Sequence, residues 1–191
     1  MCPSEQVRPK LFYFYKSNNV TVSDLCLKNS ACWGLSFDLC DNLNLKNLNI
    51  TNRAYWNNDG IDIDDCQHVK IVDCDINSAD DAICLKSYHA NSSCVDVDIQ
   101  RCDLRSSASG VKFGTASWGG FRNIHVADIK VFDTFRSAIA IESVDGGNID
   151  SVCVERINAF NAGNAIFLRL GQRAGNKNGC LKNIILRDIT C

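Results

Sequence analysis

The sequence predicts an all-β parallel solenoid of about seven coils, and three observations predict it. An apolar-x-apolar-x-x-apolar-x-apolar pattern returns seven times along the chain. A second short apolar strand follows each of the first six starts by 14 to 18 residues. Alternation of period 2 runs throughout, with no stretch of helical period.

The pattern begins at Val20 (Val20, Val22, Leu25, Leu27). It returns at Leu43, Val69, Val97, Ile124, Val152 and Ile184, spaced 23, 26, 28, 27, 28 and 32 residues apart. The second strands fall at 35–37, 61–63, 83–85, 111–113, 139–141 and 166–168. Repeats of this length that hold two or three strands and cannot bury an apolar face alone must stack. Leucine-rich repeats share the length range but need a fixed leucine spacing and a helical half, and neither is present. One polar residue precedes each start (Asn19, Asn42, His68, Asp96, Asn123, Ser151, Asn183), which predicts a ladder of side-chain amides bonded along a turn. Two prolines and abundant Asn and Asp suit short strands joined by tight turns.

The chain of 191 residues, 46% apolar and 22% charged, fits one folded domain over 1–191 and excludes a disordered chain. A net charge of −2 and a pI near 5.9 carry no electrostatic footprint for nucleic acid or an anionic membrane. No apolar run is long enough for a membrane-spanning helix, and no signal peptide is visible at the N-terminus. No capping helix is visible at either end, so the expectation is a section of a longer β-helix with aggregation-prone edges. The twelve cysteines lack paired zinc spacing. Cys40, Cys66 and Cys94 each lie three residues before the next start, and Cys74 and Cys102 take the third apolar slot. They read as stacked interior thiols, with disulfides as the alternative.

In a solenoid, residues at equal offset stack at the interstrand spacing. Two residues before each second strand lie Asp59, Asp81, Ser109, Ser137 and Asn164, and Asp80 adjoins Asp81. Sheets avoid like charges directly opposite each other, so three clustered carboxylates point to use. From these residues alone, glycoside hydrolysis, a calcium site and a polar turn all stay open.

Asn57-Asn58-Asp59-Gly60-Ile61-Asp62, followed by Asp80-Asp81-Ala82-Ile83-Cys84-Leu85-Lys86-Ser87, resembles the polygalacturonase family (glycoside hydrolase family 28). That family carries Asn-Thr-Asp-Gly-Ile-Asp and Asp-Asp-Cys-Ile-Ala-Ile-Lys-Ser at this spacing. Arg8-Pro9, Trp33-Gly34-Leu35 and Gly119-Gly120-Phe121-Arg122-Asn123-Ile124 are similar too. The resemblance implies a right-handed single-stranded parallel β-helix. It implies inverting, cofactor- and metal-free hydrolysis of a galacturonan- or rhamnogalacturonan-type pectic chain. Asp80 would be the general acid, and Asp59 and Asp81 would hold and activate water. It further implies a secreted or periplasmic protein, and a monomer is expected.

The departures matter as much. Ala108-Ser109-Gly110 stands where the family has Gly-His-Gly, and Ala140-Ile141-Glu142 where it has Arg-Ile-Lys. The segment 164–173 looks like a divergent, bacterial-type branch. Asp64, Lys86, Gly114 and Arg169 align with Glu142, which predicts Asp64–Lys86 and Glu142–Arg169 pairs, either on a solvated face or as a relocated carboxylate clamp completed by Arg173. The candidate substrate-binding residues are Asn57, Lys86, Ser109, Lys112, Glu142, Arg169 and Arg173. Lys112 is expected to point outward, and His89 is a candidate to stand in for the lost histidine. His68 and His125 read as structural, and Tyr55, Trp56, Trp33 and Trp118 give no decisive signal. A non-catalytic polysaccharide-binding or structural β-helix, and a calcium-dependent lyase-like enzyme, are the alternatives.

Overall fold

The computed structural model describes residues 4, 7–173, 175 and 178–191. They form a right-handed parallel β-solenoid of about six turns, with fifteen strands and exclusively parallel pairing. No helix among the described residues is long and apolar enough to cross a membrane.

Three stacks of strands run along the axis. The first joins Val20, Leu43, Val69, Val97, Ile124, Val152 and Ile184 in register, so the seven repeat starts are seven stacked positions. The second runs through Leu27, Ile50, Ile76, Leu104, Val131 and Ala159. The third runs through Phe12, Leu35, Ile61, Ile83, Val111, Ile139 and Ile166. Early coils break into short strands at the corners. Later ones bend continuously around them, and Phe121–Ser143 contributes to all three stacks.

The apolar slots of every coil point into one core. Leu35, Phe37, Ile61, Ile63, Ile83, Leu85, Val111 and Phe113 of the third stack are all 0% exposed. Cys40, Cys66, Cys94, Cys74 and Cys102 are buried within it, and the eleven described cysteines are free thiols. They behave as small apolar side chains whose S–H groups reach backbone carbonyls, as Cys66 does to Asp64 at 3.2 Å.

The turn column before each start differs from the expected amide ladder. Amide bonds join only Asn42 to Asn19 and Asn123 to Asp96, each at 2.6 Å, while His68 turns to Asp41. What the seven positions share is a left-handed backbone, φ 52–58°. A second column, Asp24, Asn47, Asp73, Arg101, Asp128, Arg156 and Asp188, has φ 50–58°. The corners are set by backbone conformation, which Asn and Asp tolerate best, and not by one side-chain bond.

Coil length varies only outside the stacks. Leu43 follows Phe37 by six residues and Val69 follows Ile63 by six, whereas Val97 follows Leu85 by twelve and Ile184 follows Leu168 by sixteen. The longer returns leave the third stack and wall its outer face. The solenoid's end strands keep apolar side chains in solvent, including Tyr13 and Tyr15 at one end and Ile185 at the other.

Candidate active site

The site is built at the corner that leads into the third stack. Asn52 is buried there, donating to the Asp59 carbonyl at 2.7 Å and accepting from the Ser30 N–H at 2.7 Å. Asn58, fully buried, donates to the Cys32 carbonyl at 2.6 Å and accepts from the Tyr55 N–H at 2.6 Å. These amides replace ladder bonds that an irregular turn cannot make. Gly60 follows because a Cβ there would lie 2.4 Å from the Ala82 carbonyl oxygen of the next coil. One coil on, the Ser78 and Ser106 hydroxyls both donate to the Asp80 carbonyl at 2.6 Å.

Asp59 and Asp81 stack as predicted, with the Gly60 N–H donating to the Asp81 carbonyl at 3.0 Å. One carboxylate oxygen each from Asp59, Asp80 and Asp81 lies within 4.8 Å of the others. Asp81 accepts from the Ser109 N–H at 3.0 Å and from Lys112 Nζ at 2.9 Å. Asp80 accepts from the Asp81 N–H at 3.0 Å. Asp59 faces Lys86 Nζ at 3.4 Å.

The pairing predicted between Asp64 and Lys86 on a solvated face is corrected. The two are backbone neighbours, but the Lys86 ammonium bonds to Asp62 and Asp59 and sits 4.0 Å from the Trp33 ring centroid. A lysine stem is long enough to leave its own row, and its head goes to the densest carboxylates. Nor is the face solvated: Asp62, Asp64 and Lys86 are all buried. The other pair is present, with Arg169 Nη1 3.6 Å from Glu142 Oε2.

Burial dominates the electrostatics. It pushes the Asp59 carboxyl well above the usual carboxylate range, helped by Asp62 and opposed by Lys86. Burial and the Asp81 charge raise Asp80. Burial works against the Lys86 ammonium, but Asp62, Cys84 and Asp59 outweigh it and raise its pKa. Burial raises Asp62 to about 6 and Asp64 to about 7, against the pull of Lys86.

A stability prediction follows from Asp62 and Asp64. Unfolded, both titrate near 3.8, so between about pH 4 and 7 the folded chain holds protons that the unfolded chain releases. Their contribution is full below pH 4 and is lost as the pH rises through 6 to 7. Thermal melts are expected to give a lower Tm at pH 7.5 than at pH 5, by roughly 2–4 °C for each kcal/mol lost. The Asp62→Asn, Asp64→Asn double variant is expected to flatten that fall. A wild-type Tm that rises over this range would contradict the assignment.

Two adjoining cavities take in all ten candidate residues. One, of about 310 Å³, is lined by Asn57, Asp59, Asp80, Asp81, Lys86, Lys112 and Arg173. The other, of about 390 Å³, is lined by Ser109, Lys112, Glu142 and Arg169. Lys112 points outward as expected, but it is buried against Asp81. Asn57 accepts from Arg8 Nη2 at 3.3 Å. Arg173 is held by Asp145 through bonds of 2.6 and 2.8 Å. Ser109, in the place of the family histidine, uses its backbone: its N–H orients Asp81 and its carbonyl accepts from Ala82. His89 donates its backbone N–H to Asp65 and lines neither cavity. His68 and His125 pair with acidic residues elsewhere. Trp56, 87% exposed, lines neither cavity.

Sequence reasoning left Trp33 without a role and missed Tyr88 and Arg136; all three line the first cavity. Two of them carried a signal. Trp33 is two residues before Leu35, in the column of Asp59 and Asp81, and Arg136 is three before Ile139, in the column of Asp80. Tyr88 lies on a return loop, to which the repeat does not extend.

Residues 2–152 match the model of the glycosyl hydrolases family 28. The chain is 26% identical over 184 residues to a probable polygalacturonase of Vitis vinifera, covering 96% of this chain and 33% of that protein. It is 26% identical over 172 residues to a polygalacturonase of Juniperus ashei, covering 86% and 32%. The chain thus spans about a third of the length of these relatives. They are plant proteins and lend no particular weight to a bacterial-type branch. In fold it is similar to the polygalacturonase of Erwinia carotovora (TM-score 0.73, 20% identity, 95% of this chain and 57% of that one). It is also similar to an endo-xylogalacturonan hydrolase of Aspergillus tubingensis (TM-score 0.70, 19% identity, 94% and 52%). With the family model covering most of its length, the chain belongs to glycosyl hydrolase family 28.

Proposed function

We propose that the protein hydrolyses a pectic polysaccharide of galacturonan or rhamnogalacturonan type, with inversion and without a metal. The observation that carries this reading is the grouping of the Asp59, Asp80 and Asp81 oxygens within 4.8 Å on a cavity wall. Asp80, whose pKa is raised by burial and by Asp81, gives a proton to the glycosidic oxygen as the C–O bond breaks. Water held between Asp59 and Asp81 adds to the anomeric carbon and yields its proton to one of them. Lys112 and Lys86 supply positive charge at these carboxylates, where a cation would otherwise be needed. Location outside the cytoplasm, as a monomer acting on plant cell-wall polymer, completes the reading.

The grouping is tighter than the about 6.5–9.5 Å that usually separates acid and base in inverting glycosidases, and nearer the about 5–5.5 Å of retaining ones. Three carboxyls share this site instead of two, and water lodged between Asp59 and Asp81 needs no gap between Asp80 and a facing base. The product's anomeric configuration is therefore the decisive readout. Reducing ends should be released from polygalacturonate or rhamnogalacturonan in the presence of chelator, and NMR of the first product should show inversion. Retention would replace water attack with a covalent intermediate. Loss of activity on chelation, with an unsaturated ultraviolet-absorbing product, would replace hydrolysis with calcium-dependent elimination.

A further inference from the structure

The outward face of the first stack carries a second cluster of chemically active side chains. Asp98, His125 and Cys153 are in register on three successive coils, and Glu155 is the next outward residue after Cys153. One ligand atom each from His125, Cys153 and Glu155 lies within 4.8 Å of the others. None of the three lines either cavity described above.

His125 is held between two carboxylates. Asp98 Oδ1 is 2.9 Å from its Nδ1, and Glu155 Oε1 is 3.3 Å from its Nε2. Gln100 fixes Asp98 in turn, donating to both carboxylate oxygens at 2.8 and 2.9 Å. A neutral imidazole has one N–H and satisfies only one of these carboxylates. With that N–H on Nδ1, the Nε2 lone pair faces Glu155, and a cation between them resolves the conflict. A carboxylate behind the far nitrogen is also how metal-ligating histidines are oriented. Cys153 Sγ lies 3.8 Å from the other Glu155 oxygen, so nitrogen, sulfur and oxygen donors converge.

Glu155 is buried, and Arg156 and Arg187 hold its carboxyl down to about 2, so it is ionised as a ligand must be. Arg156 also holds Asp128 through bonds of 2.7 and 3.0 Å, so its charge is already shared. Arg187 is the competitor: its side chain is exposed, and a cation at Glu155 must push its guanidinium toward solvent.

We propose that His125, Cys153 and Glu155 bind one zinc ion, with water as the fourth ligand, and that the ion ties two successive coils together. Tetrahedral ligands at about 2.0–2.3 Å from zinc stand about 3.3–3.8 Å apart, so side-chain rotations of about 1 Å close the site. A thiolate with an imidazole favours zinc over calcium or magnesium. As the S–Zn bond forms, the Cys153 thiol proton passes to solvent. His125 and Cys153 stand one coil apart, so no short zinc spacing marks them in the sequence. The inference is independent of the hydrolase reading.

The test titrates the full chain with cobalt(II), a spectroscopic stand-in for zinc, and then with zinc itself. Cys2, Cys26, Cys180 and Cys191 are replaced by serine throughout, because the last three are exposed thiols. One equivalent of cobalt should give a thiolate-to-metal band in the near ultraviolet and four-coordinate bands in the visible, all bleached by one equivalent of zinc. Cys153→Ser should remove the thiolate band. Asp98→Asn leaves the three ligands in place and should weaken zinc by roughly 10- to 100-fold. Arg187→Ala should tighten it, and this gain decides the matter if a ligand variant fails to fold. Zinc at a hundredfold its Kd should raise Tm by roughly 5–10 °C, reversed by chelator. No thiolate band, or one that survives Cys153→Ser, overturns the proposal. So does a zinc affinity that neither Asp98→Asn nor Arg187→Ala changes, which would leave His125 as an imidazolium bridging two carboxylates.

Discussion

Asp80→Asn is expected to lower hydrolysis by about 10²- to 10⁴-fold, the usual share of a positioned general acid, while leaving the fold intact. The side chain is only half-buried, and its carboxylate accepts one backbone bond, from Asp81. An amide oxygen can accept that bond equally well, so the corner keeps its shape. What the amide cannot do is deliver a proton. Acid loss should also show in the leaving group: a substrate whose leaving group needs no protonation should be cleaved almost as well by Asp80→Asn as by wild type. An equal loss on both substrates, with an unchanged melt, would move the acid to Asp59 or Asp81. The same reasoning fixes the pH profile. Burial and Asp81 raise the Asp80 pKa, so kcat should fall as the pH rises through that value.

Phe113→Ala is expected to cost about 3–5 kcal/mol of stability, a fall in Tm of roughly 6–20 °C. Phe113 is 0% exposed and meets Phe121 edge to face, with ring centroids 5.6 Å apart and planes at 76°. Its neighbours in the stack are Leu85 and Ile141, themselves fully buried. A solenoid core is a chain of such layers, so no distant side chain can move in to fill the space. The preceding residue is Lys112, which holds Asp81, so a relaxed Phe113 layer should also disturb the site. Denaturant melts with an unchanged m-value would report the stability term alone. A loss under about 1 kcal/mol would mean that the layer collapses around the smaller side chain.

The sequence carried the register of this fold residue by residue, because an apolar slot every second position admits no one-residue slip without turning the core outward. That register placed Asp59 over Asp81 and brought Asp80 beside them. It carried less of what long side chains do. Lys86 aligns with Asp64 by its backbone, yet its ammonium crosses to Asp62 and Asp59, a choice made by charge density at the end of a flexible stem. The turn columns were legible as polar positions but not as backbone conformations, so the expected amide ladder held at only two steps. Trp33 lay one coil before Asp59 and Arg136 two coils after Asp80, in columns already in use, and both would have emerged from extending them. Arg173, on the long return after the last strand of the third stack, was named only as completing a relocated carboxylate clamp, and its partner Asp145 was not foreseen.

The returns that wall the groove vary from six to sixteen residues between Phe37 and Ile184, while the strands they join stay in register. Lengthening such a loop carries a small thermodynamic penalty, about 0.6 kcal/mol for each doubling. Changing a core layer costs several times that. Variation by insertion is therefore nearly free on the side that walls the two cavities and nearly forbidden on the side that holds the rod together. A lineage built on this plan can re-shape its groove one coil at a time, with Asp59, Asp80 and Asp81 still held at the corner that leads into unchanged strands.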